Sequence, residues 1–503
     1  MTKLMNTSPA GLMLLILLGL VGIVASLFLG LVASTGYYLF IIFGGALCFA
    51  MLMGLCAIAF RWPIRHIIFS GIFGLFFFIN IIQARLGIPI YPLWQLAVIG
   101  IGSLGMYSLY RATLNSRLLL SSFVAFVVFM LIAFVSSFGH GVIFKAAAFQ
   151  FISDFKLPLA IAFGLFWATK LSTRDYVEKL IWPYIGLALA FLLLQWAWPS
   201  GYMTVMNVGS IAEEVTSFLP SPGKSLFSHP SILAGVSAAF AIYYLSKWQV
   251  KVEKDRSNFF KFILVAFLLF ASNQRQEIFA FLLVAIGLYI IKDNQQLAKR
   301  IFIAGTISIV LGIVFFLLYE EAFKREIGMW GIDTYRRSTH PRAQLYEGAE
   351  LLAKSYFPLG SGLGTFGGVG SMKYDLLQYY KLGFAYEWWW NRYEAYLLDT
   401  YWPNSIAESG FFGAFFLLLH YLLFAAYLVR RTFKAATQRL RLNWLIAAGS
   451  FSWILLVTPT SPGFQELLIL FLPGIFIANA IMDERKYHAA LNSDGIDTKV
   501  ATR

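Results

Sequence analysis

The sequence predicts an all-α, polytopic transmembrane bundle of about 14 spans (roughly 12–14), with a large, partly helical loop on one face. Three observations carry that expectation. Of 503 residues, 59% are hydrophobic and only 13% charged, with a mean hydropathy of +0.71, whereas soluble domains carry about 25% charged residues. The apolar residues fall in blocks of roughly 16 to 24, the length that crosses about 30 Å of hydrocarbon at about 1.5 Å per residue. Lysine and arginine recur in alternate connecting segments, as they do when cytoplasmic loops retain them. Barrel strands are a poor alternative, because they alternate apolar and polar residues, while Gly11–Val32 is apolar on every face.

Taken in order, spans are expected near 10–32, 37–60, 66–83, 93–110, 118–137, 157–170, 180–197, 230–246, 260–272, 276–291, 301–319, 406–429, 443–458 and 465–482. The first follows a short basic start and is read as a retained helix, since no small-residue cleavage site follows it. Lys3, Arg61 and Arg65, Arg111 and Arg117, Lys170 to Lys179, Lys247 to Arg256, Lys292 to Arg300, Arg430 to Arg441, and Arg485 with Lys486 fall on one side. Both termini are therefore expected to be cytoplasmic. The whole chain, 1–503, reads as one polytopic domain, whose opposite face carries a smaller loop, 199–229, and a large one, 320–405. The segment His140–Lys156 is too polar to span and has a helical apolar period, so it is expected along the outer interface.

Composition excludes several classes. Cys48 and Cys56 both lie within the second apolar block, so neither a disulfide framework nor a metal site is indicated. The formal charge of +14 is dispersed through loops between spans, which points to anionic lipid head groups or a phosphorylated lipid rather than nucleic acid. No inverted internal repeat of the transporter kind is evident.

The polar residues that could carry chemistry cluster on the outer face. Pro341–Tyr356 reads as a helix with proline in its first turn. The glycine-rich run Pro358–Gly368 follows it, and its crowd of backbone N–H groups suits close approach of a ligand. Asp399 and Glu408 stand at the boundary of the twelfth span, where ionisable groups usually line a polar cavity. His229-Pro230 opens the eighth span, and Arg275 begins the tenth. An arginine held there suits a pyrophosphate, because its planar fork pairs with phosphate oxygens.

The ordered set of His229-Pro230, Arg275, Arg342 within HPRAQLYEGAELLAKSYFPLGSGLGTF, and DTYWPNSIAESGFFG resembles the O-antigen ligase and polymerase superfamily. The likeness runs in motifs from about Phe227 to Gly413, and elsewhere only as a many-helix topology. It implies a glycosyltransferase of the bacterial inner membrane that uses undecaprenyl-diphosphate-linked oligosaccharide at the periplasmic face, without cofactor, nucleotide sugar or metal. Ligases of that family usually place a histidine eleven residues before the glycine matching Gly410; here that residue is Asp399, which favours a Wzy-type polymerase for O-antigen or a related surface polysaccharide. The resemblance also implies a chain-length regulator and a flippase as pathway partners.

On that reading Arg275 and Arg342, joined by Arg336 and Arg337, stabilise the diphosphate leaving group. Asp399 or Glu408 is the general base, with Asp399 preferred, and His229 and Tyr401 contact substrate. Each assignment has a structural alternative: Arg275 pairing with Glu277, Arg342 as a helix-surface charge, Arg336 and Arg337 on a solvated face. For His229 it is a helix-cap bond, for Asp399 a structural ion pair, and for Glu408 a buried helix-packing bond. The aromatic run Trp388-Trp389-Trp390 suits either sugar stacking or an interfacial belt. A ligase acting on lipid A core, and a flippase for the lipid-linked sugar, are the competing functions.

Overall fold

The computed structural model describes residues 64–86, 90–169, 173–206, 221–250, 256–292, 299–303, 305–306, 309–310, 312–313, 317 and 340–493. Among them every regular element is helical. In chain order they are α1 (Ile64–Leu86), α2 (Ile90–Leu114), α3 (Arg117–Gly139), α4 (Phe144–Asp154), α5 (Lys156–Ala168), α6 (Thr173–Ala197), α7 (Pro199–Met206), α8 (Pro230–Val250), α9 (Arg256–Ala271) and α10 (Arg275–Ile291). There follow α11 (Pro341–Ser355), α12 (Val369–Tyr374), α13 (Leu377–Lys381), α14 (Tyr393–Tyr396), α15 (Trp402–Lys434), α16 (Gln438–Val457) and α17 (Leu467–Ser493).

Six of these are long and apolar enough to cross a membrane: Ile90–Leu114, Arg117–Gly139, Val177–Ala197, Trp402–Lys434, Gln438–Val457 and Leu467–Asn492. A seventh is formed if α4 and α5, bent by 51° at their junction, count together. The described residues are thus those of a multi-pass helical membrane protein. The expected spans at 10–32 and 37–60, and most of 301–319, lie outside the described residues.

The chain divides into two compact units. The first comprises Met1–Ile101, Trp167–Ser237 and Leu264–Gln274. In it α7 packs against α1 and α6, around an aromatic core in which Phe69 meets Phe73 and Trp167 while Phe77 meets Tyr184. Gln195 ties down the connection before α8: its Oε1 accepts from the Lys224 and Ser225 N–H groups, and its Nε2 donates to the Pro222 carbonyl at 2.9 Å. Burial lowers the pKa of the Lys224 ammonium on this connection.

The second unit comprises Gly102–Phe166, Ala238–Ile263 and Arg275–Arg503. Its centre is α15, which packs against α3, α11 and α16; α16 in turn packs against α10 and α17. Small residues allow close approach: a Cβ on Gly102 would meet the Leu159 carbonyl oxygen at 2.6 Å, and one on Gly164 would meet Ala478 at 2.7 Å. Near its start α15 breaks at Gly410, whose φ of 65° and ψ of −177° are non-helical.

The part of the large loop that is described, 340–401, has a core of its own. Leu345, Ala349 and Leu352 of α11 gather Phe366, Tyr379, Phe384, Trp389 and Leu397 onto Ala407 of α15. This is how a segment with little transmembrane character stays folded: it buries aromatic area against a helix that continues as a span.

The segment His140–Lys156 differs from the expected interfacial helix. Gln150, Asp154 and Lys156 are buried rather than solvated, and the helix bends at Phe155 to continue as α5. The polar residues that argued against a span turn inward, where polar side chains from α15 and the start of α17 receive them.

Candidate functional site

The candidate site is built at the start of α11. His340 caps the helix, its Nδ1 accepting from the Arg342 N–H at 3.2 Å, and Pro341 takes the first helical position, where its missing N–H costs nothing. That geometry puts Arg342 in the first turn. Its Nε donates to Asp399 Oδ2 at 2.7 Å, and its Nη1 donates to Gln276 Oε1 at 3.2 Å. The two charged side chains keep 21% and 32% of their surface exposed, so the pair is reachable from solvent. Gln276 also donates to the Thr460 carbonyl at 3.4 Å. One turn beyond Arg342, the Tyr346 hydroxyl donates to the Pro459 carbonyl at 2.9 Å; burial raises its pKa, against the opposing influence of the Arg342 charge.

Two residues singled out from sequence, 57 positions apart, are therefore in direct contact. Chemically the arrangement is a partly buried guanidinium that donates to a carboxylate and to a carboxamide. Water competes for a pair that is partly solvated in this way, so the carboxylate can be exchanged for an incoming anion. Arg275, half-buried, is the first residue of α10 and precedes Gln276 in the chain. Arg336 and Arg337 lie outside the described residues.

His229 belongs to the first unit. Its Nδ1 accepts from the Ser231 N–H at 3.2 Å across the start of α8, which is the capping role weighed above. Tyr401 is buried, and its hydroxyl is 2.6 Å from that of Tyr421, whose ring stacks on Phe464. It is a packing residue rather than an open contact surface.

Glu408 is also buried, and it is committed to the glycine-rich loop. Its Oε1 accepts from the Phe366 N–H at 3.1 Å and its carbonyl from the Gly362 N–H at 2.9 Å, while the Ala407 carbonyl accepts from the Ser361 N–H at 2.8 Å. The loop itself, 360–368, is buried throughout. Its glycines answer to protein neighbours: a Cβ on Gly362 would meet Ser137 Cα at 2.8 Å, and one on Gly410 would meet the Pro358 carbonyl oxygen at 2.7 Å. Gly360, Gly362, Gly364 and Gly367 all have positive φ, where L side chains are strained. The run was expected to admit a ligand; instead the groups that approach its backbone are α3, α4 and the kinked start of α15, which leave it buried.

The aromatic run splits by burial. Trp389 is in the loop core and donates its indole N–H to Gln344 Oε1 at 2.7 Å, whereas Trp388 and Tyr386 are exposed.

Sequence reasoning did not single out Gln276 or the buried polar residues Gln150, Asp154, Asn404 and Gln465. A signal existed for Gln150 and Asp154: four residues apart, they share one helix face in an otherwise apolar stretch. Gln276 carries no such signal, being an ordinary polar residue at a helix start. No protein-family model matches this chain, and no curated protein matches it.

Proposed function

We propose that this chain is a membrane glycosyltransferase that polymerises undecaprenyl-diphosphate-linked oligosaccharide repeat units, working at the periplasmic face of a bacterial inner membrane. About 14 spans, with both termini cytoplasmic, are the topology that goes with this reading. The observation that supports it most is the Arg342–Asp399 pair, 2.7 Å apart and open to solvent. A displaceable cation for a diphosphate and a carboxylate for a proton are the two groups that glycosyl transfer from a lipid diphosphate requires.

The donor's diphosphate competes with Asp399 for the Arg342 guanidinium, whose fork matches phosphate oxygens. Displacement uncovers the carboxylate, which then accepts the proton of the acceptor sugar's hydroxyl. The hydroxyl oxygen bonds to the anomeric carbon as the bond from that carbon to the diphosphate oxygen breaks. The bonding pair leaves with the diphosphate, and Arg342 stabilises the charge that grows there, together with Arg275, Arg336 and Arg337. Asp399 then returns its proton to solvent. Asp399 is the base in this scheme, and Glu408 and Tyr401 support the loop and the helix start. Membrane lipids surround the site, and a chain-length regulator and a flippase are the partners such a polymerase works with.

Purified protein incubated with lipid-linked repeat units, in EDTA and without nucleotide, should yield a ladder of chain lengths. Transfer only to a lipid A core acceptor identifies a ligase instead. Transbilayer movement of the lipid without any covalent product identifies a flippase.

A further inference from the structure

We infer that the junction of α4, α15 and the segment entering α17 holds one monovalent cation, bound by Asp154, Glu408 and Gln465. All three side chains are buried, at 4%, 1% and 4% exposure, and they arrive from three separate stretches of the second unit. Their hydrogen bonds draw two of them together. Asp154 Oδ1 accepts from Gln150 Nε2 at 2.9 Å and from Gln465 Nε2 at 3.3 Å, and the same two amides reach Asn404 Oδ1 at 3.3 and 3.4 Å. Asn404 is one helical turn before Glu408 on α15, and the Asp154 and Glu408 carboxylates interact electrostatically.

After those bonds are counted, one oxygen of each group is left over. Asp154 Oδ2, Glu408 Oε2 and Gln465 Oε1 are all buried and without a hydrogen-bond partner. Single bare acceptors are uncommon in folded interiors, and three in one cluster describe a place short of positive charge. Asn404 Nδ2 donates to the Phe366 carbonyl at 3.2 Å, and Lys156 Nζ to the Gln465 carbonyl at 2.6 Å, so both are held toward backbone oxygens.

The charge count selects the occupant. Asp154 and Glu408 are the carboxylates of the node, and Lys156 is the ammonium group that acts against Asp154. One negative charge remains. Oxygen-only ligands favour a hard cation, and the nearby Lys156 disfavours a divalent one. The inference stands apart from the glycosyl-transfer reading, because ion binding is measured without substrate.

The test uses the purified full chain in detergent with radioactive sodium as probe, read by scintillation proximity. Saturable retention approaching one ion per chain is expected, displaced by unlabelled sodium but not by choline. Asp154→Asn should weaken it roughly 10- to 100-fold, no less than the loss of an outer-shell partner. Absence of saturable retention by the wild-type chain overturns the inference, as does equal retention by the variant. Should Asp154→Asn not fold, the wild-type melting midpoint decides: it rises in sodium chloride over choline chloride at equal ionic strength if the ion binds the folded state. Equal midpoints in the two salts, or a midpoint that follows pH alone, leave the node holding water or a shared proton and overturn the inference.

Discussion

Asp399 and Glu408 are carboxylates nine residues apart in one motif, and the fold gives them opposite circumstances. Asp399 sits at the rim, a third exposed, against a guanidinium that also donates to the Gln276 amide oxygen. Glu408 is 1% exposed and accepts the Phe366 backbone N–H of the buried glycine-rich loop. The difference teaches that a charge near a membrane boundary acquires a chemical role only where its partner can be exchanged. At the rim, exchange costs little because solvent already competes for the pair. In the buried node, a group that loses its partner has no water to turn to.

The sharpest way to break this comparison is to exchange the two roles in an assay. Arg342→Ala and Asp399→Asn should each reduce the polymer ladder by about 10²- to 10³-fold, the usual loss for one charge-stabilising or proton-transferring group, with the melting midpoint unchanged. Wild-type ladders from both variants would sink the rim as the reacting site. In the node, Gly364→Ala should cost roughly 2–4 kcal/mol, by adding a strained positive φ to a clash with the Ala146 backbone; a lowered thermal midpoint in detergent is the measurement. Arg342→Lys keeps the charge but loses the fork that reaches two partners, so roughly tenfold less product is expected, from a higher donor KM. Glu408→Gln keeps an oxygen to accept from the Phe366 N–H and should cost only about 1 kcal/mol, seen as a small midpoint shift. Smallest of all, Trp388→Ala on the exposed side of the aromatic run should lie within about 0.5 kcal/mol of wild type. A large loss of product there without a stability change would mean that the exposed ring contacts substrate.

The helical scaffold was legible because its signal is local and repeated: long apolar blocks have nowhere else to be at rest. Helices cover the described parts of the expected stretches from 66–83 onward, and six of them are long and apolar enough to cross a membrane. The pairing of Arg342 with Asp399 was legible only as a shared interest in the two residues. The glycine-rich run was read as a place where a ligand approaches, whereas the approaching groups are the protein's own backbone. His140–Lys156 misled because polarity was read as solvent exposure. Gln150, Asp154 and Lys156 instead bond to residues about 250 to 310 positions away, and no local pattern records such partners.

By itself, then, the sequence determined that the chain is a helical membrane protein and that its unusual charges gather around one loop and one helix start. Composition and period suffice for that, since hydrophobic burial is set by what each residue is. Which carboxylate stays reachable and which is locked away was decided only by the tertiary structure. That outcome depends on a donor brought from elsewhere in the chain: Arg342 for Asp399, and the Phe366 backbone for Glu408.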